Sequence, residues 1–185
     1  MIIAIKREDG VTLGVSCKDS CCDMLDKDYT LLDNLPAWKV KGNTGCYAAT
    51  GELDFSGQLI RAYARSLSKI KGPNDIINQV IPEMKSLLKD FRLSDGKKWG
   101  NELLIVKDGR LYHLTSHFVL EELQDAVVLA RNSLVQMGCL EATRGQTAEK
   151  RIVETYRFLS KMRNENLFPI VLWDTKTGRK KVISK

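Results

Sequence analysis

Three times in this chain, two short apolar runs flank a tight turn that contains an aspartate and a glycine, and this arrangement limits the fold more than any other feature. Ile2-Ile3-Ala4-Ile5-Lys6 and Val11-Thr12-Leu13-Gly14-Val15 flank Glu8-Asp9-Gly10. Glu102 to Val106 and Leu111 to Leu114 flank Asp108-Gly109, and Phe168 to Trp173 and Lys181 to Ile183 flank a turn from Asp174 to Gly178. Each reads as a β-hairpin, because these turn residues tolerate the backbone that a two-strand reversal demands. A fourth hairpin joins Ala37–Lys41 to Cys46–Thr50 through Gly42-Asn43-Thr44-Gly45. Connections this short make the paired strands antiparallel, and no strand–helix–strand repeat dominates.

Between the hairpins lie segments with apolar residues at helical spacing. The first carries Leu59, Ile60, Tyr63, Leu67 and Ile70 after Asp54; the second carries Ile76, Ile77, Val80, Ile81, Met84, Leu87, Leu88 and Phe91. Pro73-Asn74-Asp75 supplies an N-cap to the second, and Pro82 inside it predicts a kink or a split. A third helix is expected over Val119, Leu123, Ala126, Val127, Ala130, Leu134 and Met137, ending near Gly138. The fourth carries Ile152, Val153, Tyr156 and Leu159 behind a Thr147 cap. The strands Leu104-Ile105-Val106 and Ile170-Val171-Leu172-Trp173 do not alternate apolar with polar, so both of their faces should be covered. Two packed sheets, each backed by a helix pair, would use every apolar stripe.

The chain's 185 residues, 43% of them hydrophobic, suit one domain over 1–185 with a substantial core. Its longest apolar runs fall far short of the roughly 20 residues that span a bilayer, and the opening Met-Ile-Ile-Ala-Ile-Lys-Arg has its basic residues after the apolar stretch, the reverse of a signal peptide. A cytoplasmic location follows as the expectation. Five cysteines (Cys17, Cys21, Cys22, Cys46 and Cys139) imply no closed disulfide framework. The net charge of +6 is concentrated in the last ten residues, which argues more for a charged terminal hairpin guarding a sheet edge than for nucleic-acid binding.

The order of these elements resembles the proteasome-type subunits of the N-terminal-nucleophile (Ntn) hydrolases. The likeness covers essentially the whole chain: an opening strand pair around Asp9-Gly10, Trp38-Lys39-Val40 before a short strand, Ala49-Thr50-Gly51-Glu52-Leu53-Asp54 leading into the first helix, and the hairpin around Gly109-Arg110-Leu111-Tyr112. The resemblance implies an α+β fold, a four-layer αββα sandwich of two antiparallel sheets between helix pairs. It also implies self-association into a homo-oligomer, a ring or a dimer, through helices and loops.

In active members of that family an N-terminal Thr, Ser or Cys attacks the substrate and its own α-amine serves as general base. The overlay puts Met1 at the nucleophile position, where a thioether has no proton to lose and cannot attack a carbonyl. It puts Cys17 where active subunits carry an aspartate, and the family's lysine at Lys39 or Lys41. Gly51, after Thr50, falls in the region whose backbone N–H serves as oxyanion donor, although a glycine there equally suits a tight strand-to-helix turn. The expectation is a non-catalytic structural or binding subunit with no cofactor. The alternative is an Ntn peptidase or amidohydrolase with a different N-terminus in the cell, or with an internal cysteine as nucleophile.

Other constellations point to less. Cys17, Cys21 and Cys22 lack the second cysteine pair of a zinc site. His113 and His117 look like a helical pair, but the Asp108-Gly109 hairpin makes His113 a strand residue, so no metal site is expected. No spacing links His113 to a nucleophilic cysteine. Glu121, Glu122 and Asp125 read as the acidic first turn of the third helix, and Trp38, Trp99 and Trp173 as core or interface anchors.

Overall fold

The computed structural model describes residues 1–16, 38–40, 43–50, 70–90, 102–130 and 133–184, with side chains assigned outside 38–50 and positions 87, 88 and 90. The first sheet contains β1 (Ile2–Arg7), β2 (Gly10–Ser16), β8 (Ala126–Leu129), β9 (Ile170–Asp174) and β10 (Arg179–Ile183), in the order β10-β9-β2-β1-β8. The second contains β3 (Trp38–Val40), β4 (Asn43–Thr50), β5 (Glu102–Lys107), β6 (Arg110–Leu114) and β7 (Leu120–Leu123), in that order. Every pairing is antiparallel. The helical segments are α1 (Pro73–Asp75), a π-helical turn (Ile76–Val80), α2 (Ile81–Asp90), α3 (Ser133–Ala142) and α4 (Ala148–Arg163).

All four expected hairpins are present, but the fourth turns more tightly than expected, since Asn43, Thr44 and Gly45 belong to β4 and pair with Val40, Lys39 and Trp38. In the β5–β6 turn Asp108 and Gly109 both have positive φ, 52° and 75°, as a two-residue reversal matched to strand twist requires. The charged β10 is an edge strand of the first sheet.

Strand alternation sorts the side chains into separate clusters. Ile2 and Ala4 of β1 pack with Leu104, Val106 and Leu111, so the two sheets face each other. Met1, Ile3 and Ile5 point the other way, into a cluster with Leu140 of α3 and Ile152, Tyr156 and Leu159 of α4. On the second sheet, Leu103, Ile105, Tyr112 and Leu114 pack with Ile76, Val80, Ile81 and Met84 of the helical segment. These strands are therefore apolar on both faces, which explains their unbroken apolar runs. Close packing shows most clearly at Gly14, where a Cβ would lie 2.3 Å from Ile152 Cγ2; only glycine lets α4 sit this near β2.

Helix α4 begins as its sequence indicates: the Thr147 side chain accepts a hydrogen bond from the Lys150 N–H. The buried Arg151 turns its guanidinium back on α3, donating from Nε and Nη2 to the Leu140 carbonyl at 3.2 and 3.0 Å. A buried charge is tolerable there because it satisfies a helix C-terminal carbonyl.

Three expectations are corrected. The N-cap position before Pro73 is held by Gly72 without a side-chain cap, while Asp75 accepts from the Lys71 N–H at 2.7 Å. Pro82 does not split the helix. The wider π-helical turn just before it accommodates a ring that would otherwise clash with the carbonyl four residues back. The third helix is overturned over 119–130, where β7 pairs with β6 and β8 pairs with β1; only Ser133–Ala142 is helical. Its apolar spacing fitted both periods, and the open edges of two sheets decided between them, in keeping with the β-branched Val127 and Val128. Glu121 and Glu122 are thus strand residues and not a helix first turn. The helix expected over 59–70 lies outside the described residues, except for Ile70, which is buried against the second sheet.

Candidate functional site

The turns of the β1–β2 and β5–β6 hairpins meet at one end of the paired sheets, where a Cβ on Gly109 would lie 3.9 Å from the Gly10 Cα. Met1, Ser16, Glu102 and Leu114, at the other ends of those four strands, therefore share the opposite end. Thr50 joins them as the partner of Glu102.

At that end Met1 is a core residue with 4% of its surface exposed. The Tyr156 hydroxyl, itself fully buried, donates to the Met1 carbonyl at 2.8 Å and also lies 3.2 Å from the Gly14 carbonyl. Met1 belongs to the core cluster that includes Leu140, Ile152, Leu167 and Phe168, on the helix-bearing face of the first sheet. Ser16, the last residue of β2, donates its hydroxyl to the Leu167 carbonyl at 2.7 Å. Residue 1 and the strand beside it are thereby fastened to α4 and to the segment leading into β9.

The other family-implied positions are distributed unevenly. Lys39 pairs with Thr44, six residues along β4 from Thr50, which is about 20 Å at ~3.3 Å per residue. Because Cys46 already faces Val106 near the β5–β6 turn, Lys39 stands at the end away from Met1. Cys17 and Gly51 lie outside the described residues, as do Lys41, Cys21, Cys22 and Trp99.

The Met1 end also carries an unforeseen group. His113 of β6 is largely buried, with Nε2 3.4 Å from a Glu102 carboxylate oxygen on β5 and Nδ1 3.4 Å from one of Glu121 on β7. No local motif joins residues 102, 113 and 121. Only strand register brings them together, since His113 faces Glu121 directly and Glu102 lies diagonally across the β5–β6 pair. Glu122 pairs instead with Arg110 at 3.8 Å, and Asp125 with Arg144 at 3.1 Å. His117 sits in the turn after β6 beside the Ser116 hydroxyl, so the two histidines share no partner among the described residues. Among the described residues no cluster of His, Cys, Asp or Glu is placed to hold a metal ion.

Cys139 lies on α3, beside a groove formed with α4, and partial burial pushes its thiol pKa up, which disfavours the thiolate needed for attack. Among the described residues no hydroxyl or thiol contacts His113. No described helix is long and apolar enough to cross a membrane.

No protein-family profile matches the chain, and no curated protein matches it. Solved structures do. The chain is similar over 100% of its length to 87% of Anbu (ancestral beta-subunit) from Yersinia bercovieri, with a TM-score of 0.73 at 12% identity. It is similar over 100% of its length to 98% of Thiobacillus denitrificans BPH, captured in complex with epoxomicin, with a TM-score of 0.59 at 16% identity. Anbu from Hyphomicrobium sp. strain MC1 gives 0.65 at 13% identity, over 99% of this chain and 87% of that one. The chain thus shares its fold with these Anbu and BPH chains.

Proposed function

We propose that this chain is a non-catalytic, proteasome-type subunit in a four-layer αββα arrangement, acting as a self-assembling structural or binding body. The observation that carries the reading is Met1. The resemblance sets Met1 at the nucleophile position, and in support of a structural role the residue is 4% exposed and its side chain belongs to the core cluster under α4, with its carbonyl accepting from Tyr156. Such a side chain cannot be activated by an amine, since it has no proton to give. Lys39 stands away from Met1, so the lysine that would support a nucleophile's ionisation is not supplied by that residue.

The core clusters support the layer order: one lies between the sheets, and each sheet's other face meets helices. Self-association is supported by the surface of α3 and α4. There Leu134 is 86% exposed, and Val135, Met137, Phe158 and Met162 are also uncovered. Val135 and Phe158 line one open groove of about 740 Å³ between the two helices. Exposed apolar clusters of this kind mark contact surfaces.

Light scattering of the purified chain, run beside a panel of fluorogenic peptide and amide substrates, tests the reading. The expected result is an oligomer with no turnover above a buffer control. A monomer would remove the assembly half, and turnover would favour the alternative of a hydrolase with a different cellular N-terminus or an internal cysteine nucleophile.

A further inference from the structure

The two sheets end in edge strands of opposite charge. Glu121 and Glu122 lie on β7, at one edge of the second sheet, and Arg179, Lys180 and Lys181 on β10, at one edge of the first. Among the described residues no strand pairs with the outer side of either. Only Gln124 and Asp125 link β7 to β8, so β7 lies on the β8 side of the molecule and β10 on the opposite side. Charged edges resist pairing with their own kind, because like charges would meet across the joint. The same charges favour β7 of one copy against β10 of another.

Strand direction and side-chain alternation fix how such a joint runs. β7 leaves the Met1 end, since Leu120 pairs with Leu114 and Leu123 with Leu111. β10 approaches that end, since Arg179 pairs with Asp174 and Ile183 with Ile170, which in turn faces Ser16. Glu121 shares the inter-sheet face with His113, and Glu122 takes the helix-bearing face. On β10, Lys181 takes the helix-bearing face, where it pairs with Glu149 of α4, so Lys180 and Val182 take the inter-sheet face. A second copy turned end over end keeps like face beside like face and makes the two strands parallel. One register then sets Glu121 and Glu122 beside Lys180 and Lys181, and the partly buried Leu123 beside Val182, which is 53% exposed. Two of the edge charges are weakly engaged within their own chain: Glu122 is 3.8 Å from Arg110, beyond hydrogen-bond reach, and the Arg179 guanidinium has no ion-pair partner among the described residues.

We propose that copies of this chain join head to tail, the acidic β7 of one adding as a strand to the basic β10 of the next. The inference rests on the reading of the chain as a self-assembling body and supplies a joint separate from the α3–α4 surface. Because the two edges differ, the contact is heterologous and gives each copy two neighbours, in a ring if the rotation closes and a filament if it does not. Main-chain hydrogen bonds supply affinity, and the charges select the partner edge. The test is light scattering of the full chain as wild type, Glu122→Lys and Arg179→Glu, at low salt and at about 1 M salt, where exposed charges are screened beyond ~3 Å. Both positions lie on exposed edges, and thermal unfolding verifies that the variants fold. The expected result is a wild-type assembly whose average mass falls about twofold or more in high salt and in either variant. An equimolar mixture of the two variants should regain mass, because the intact β10 of one meets the intact β7 of the other. A wild-type assembly indifferent to salt and to both reversals, or a mixture that regains nothing, would overturn this joint and leave assembly through α3 and α4 standing. A wild type that is monomeric at low salt would end both readings.

Discussion

Tyr156→Phe isolates the contact on which the structural role of residue 1 depends. The ring is fully buried and its apolar packing survives the change, so only the hydroxyl is lost. That hydroxyl donates to the Met1 carbonyl at 2.8 Å and lies 3.2 Å from the Gly14 carbonyl. One proton serves both acceptors, so the two contacts are not additive, and a buried hydrogen bond contributes about 0.5–1.5 kcal/mol net. Desolvated carbonyls deprived of a donor raise the cost toward the upper end, giving an expected loss of about 1–2 kcal/mol. For a chain of this length each kcal/mol moves the midpoint by roughly 2–4 °C, so a fall of about 2–8 °C is predicted. Urea unfolding followed by tryptophan fluorescence measures the free energy, and calorimetry gives the midpoint. A change under about 0.3 kcal/mol would show that the hydroxyl does not fasten residue 1 to α4.

Four further outcomes follow from particular contacts. Gly14→Ala places a methyl 2.3 Å from Ile152 Cγ2 and should destabilise by about 1–3 kcal/mol, with a less-than-additive loss when combined with Ile152→Ala in a double-mutant cycle. Thr147→Ala removes the α4 cap and should cost about 1 kcal/mol in chemical unfolding. Partial burial opposes ionisation of Asp174, but the Thr177 N–H and Arg7 outweigh it and hold its pKa below the usual 3.8. Its contribution is therefore present above the ordinary carboxylate pKa and lost as pH falls through the folded value; the stability gap between wild type and Asp174→Asn should be open at neutral pH and close in strong acid. Phe158→Asp, at an exposed apolar site on α4, should shift the light-scattering mass toward the monomer while leaving the far-ultraviolet circular dichroism unchanged.

The hairpins were legible because Asp-Gly turns and flanking apolar runs specify them locally, as the positive φ of Asp108 and Gly109 illustrates. Thr147 announced α4 in the same local way. What the sequence alone hid was decided by distant partners. Residues 119–130 carry a pattern compatible with either period, and their strands exist because β6 and β1 offered unpaired edges. The π-helical turn before Pro82 is a backbone adjustment with no composition of its own. At the Met1 end, the identity of residue 1 was plain from the sequence, but its burial under α4 was not. The Glu102–His113–Glu121 group depends on the register of three strands, and the separation of Lys39 from Met1 on the short β3–β4 reversal.

The central claim is that residue 1 is a core anchor and that no other group has taken over as nucleophile. Incubating the purified full chain with epoxomicin, the compound bound in the Thiobacillus denitrificans structure, and measuring the intact mass puts that claim to the test. An unmodified mass after prolonged exposure is the predicted result; a stoichiometric adduct, at the amino terminus or at any internal residue, would contradict it.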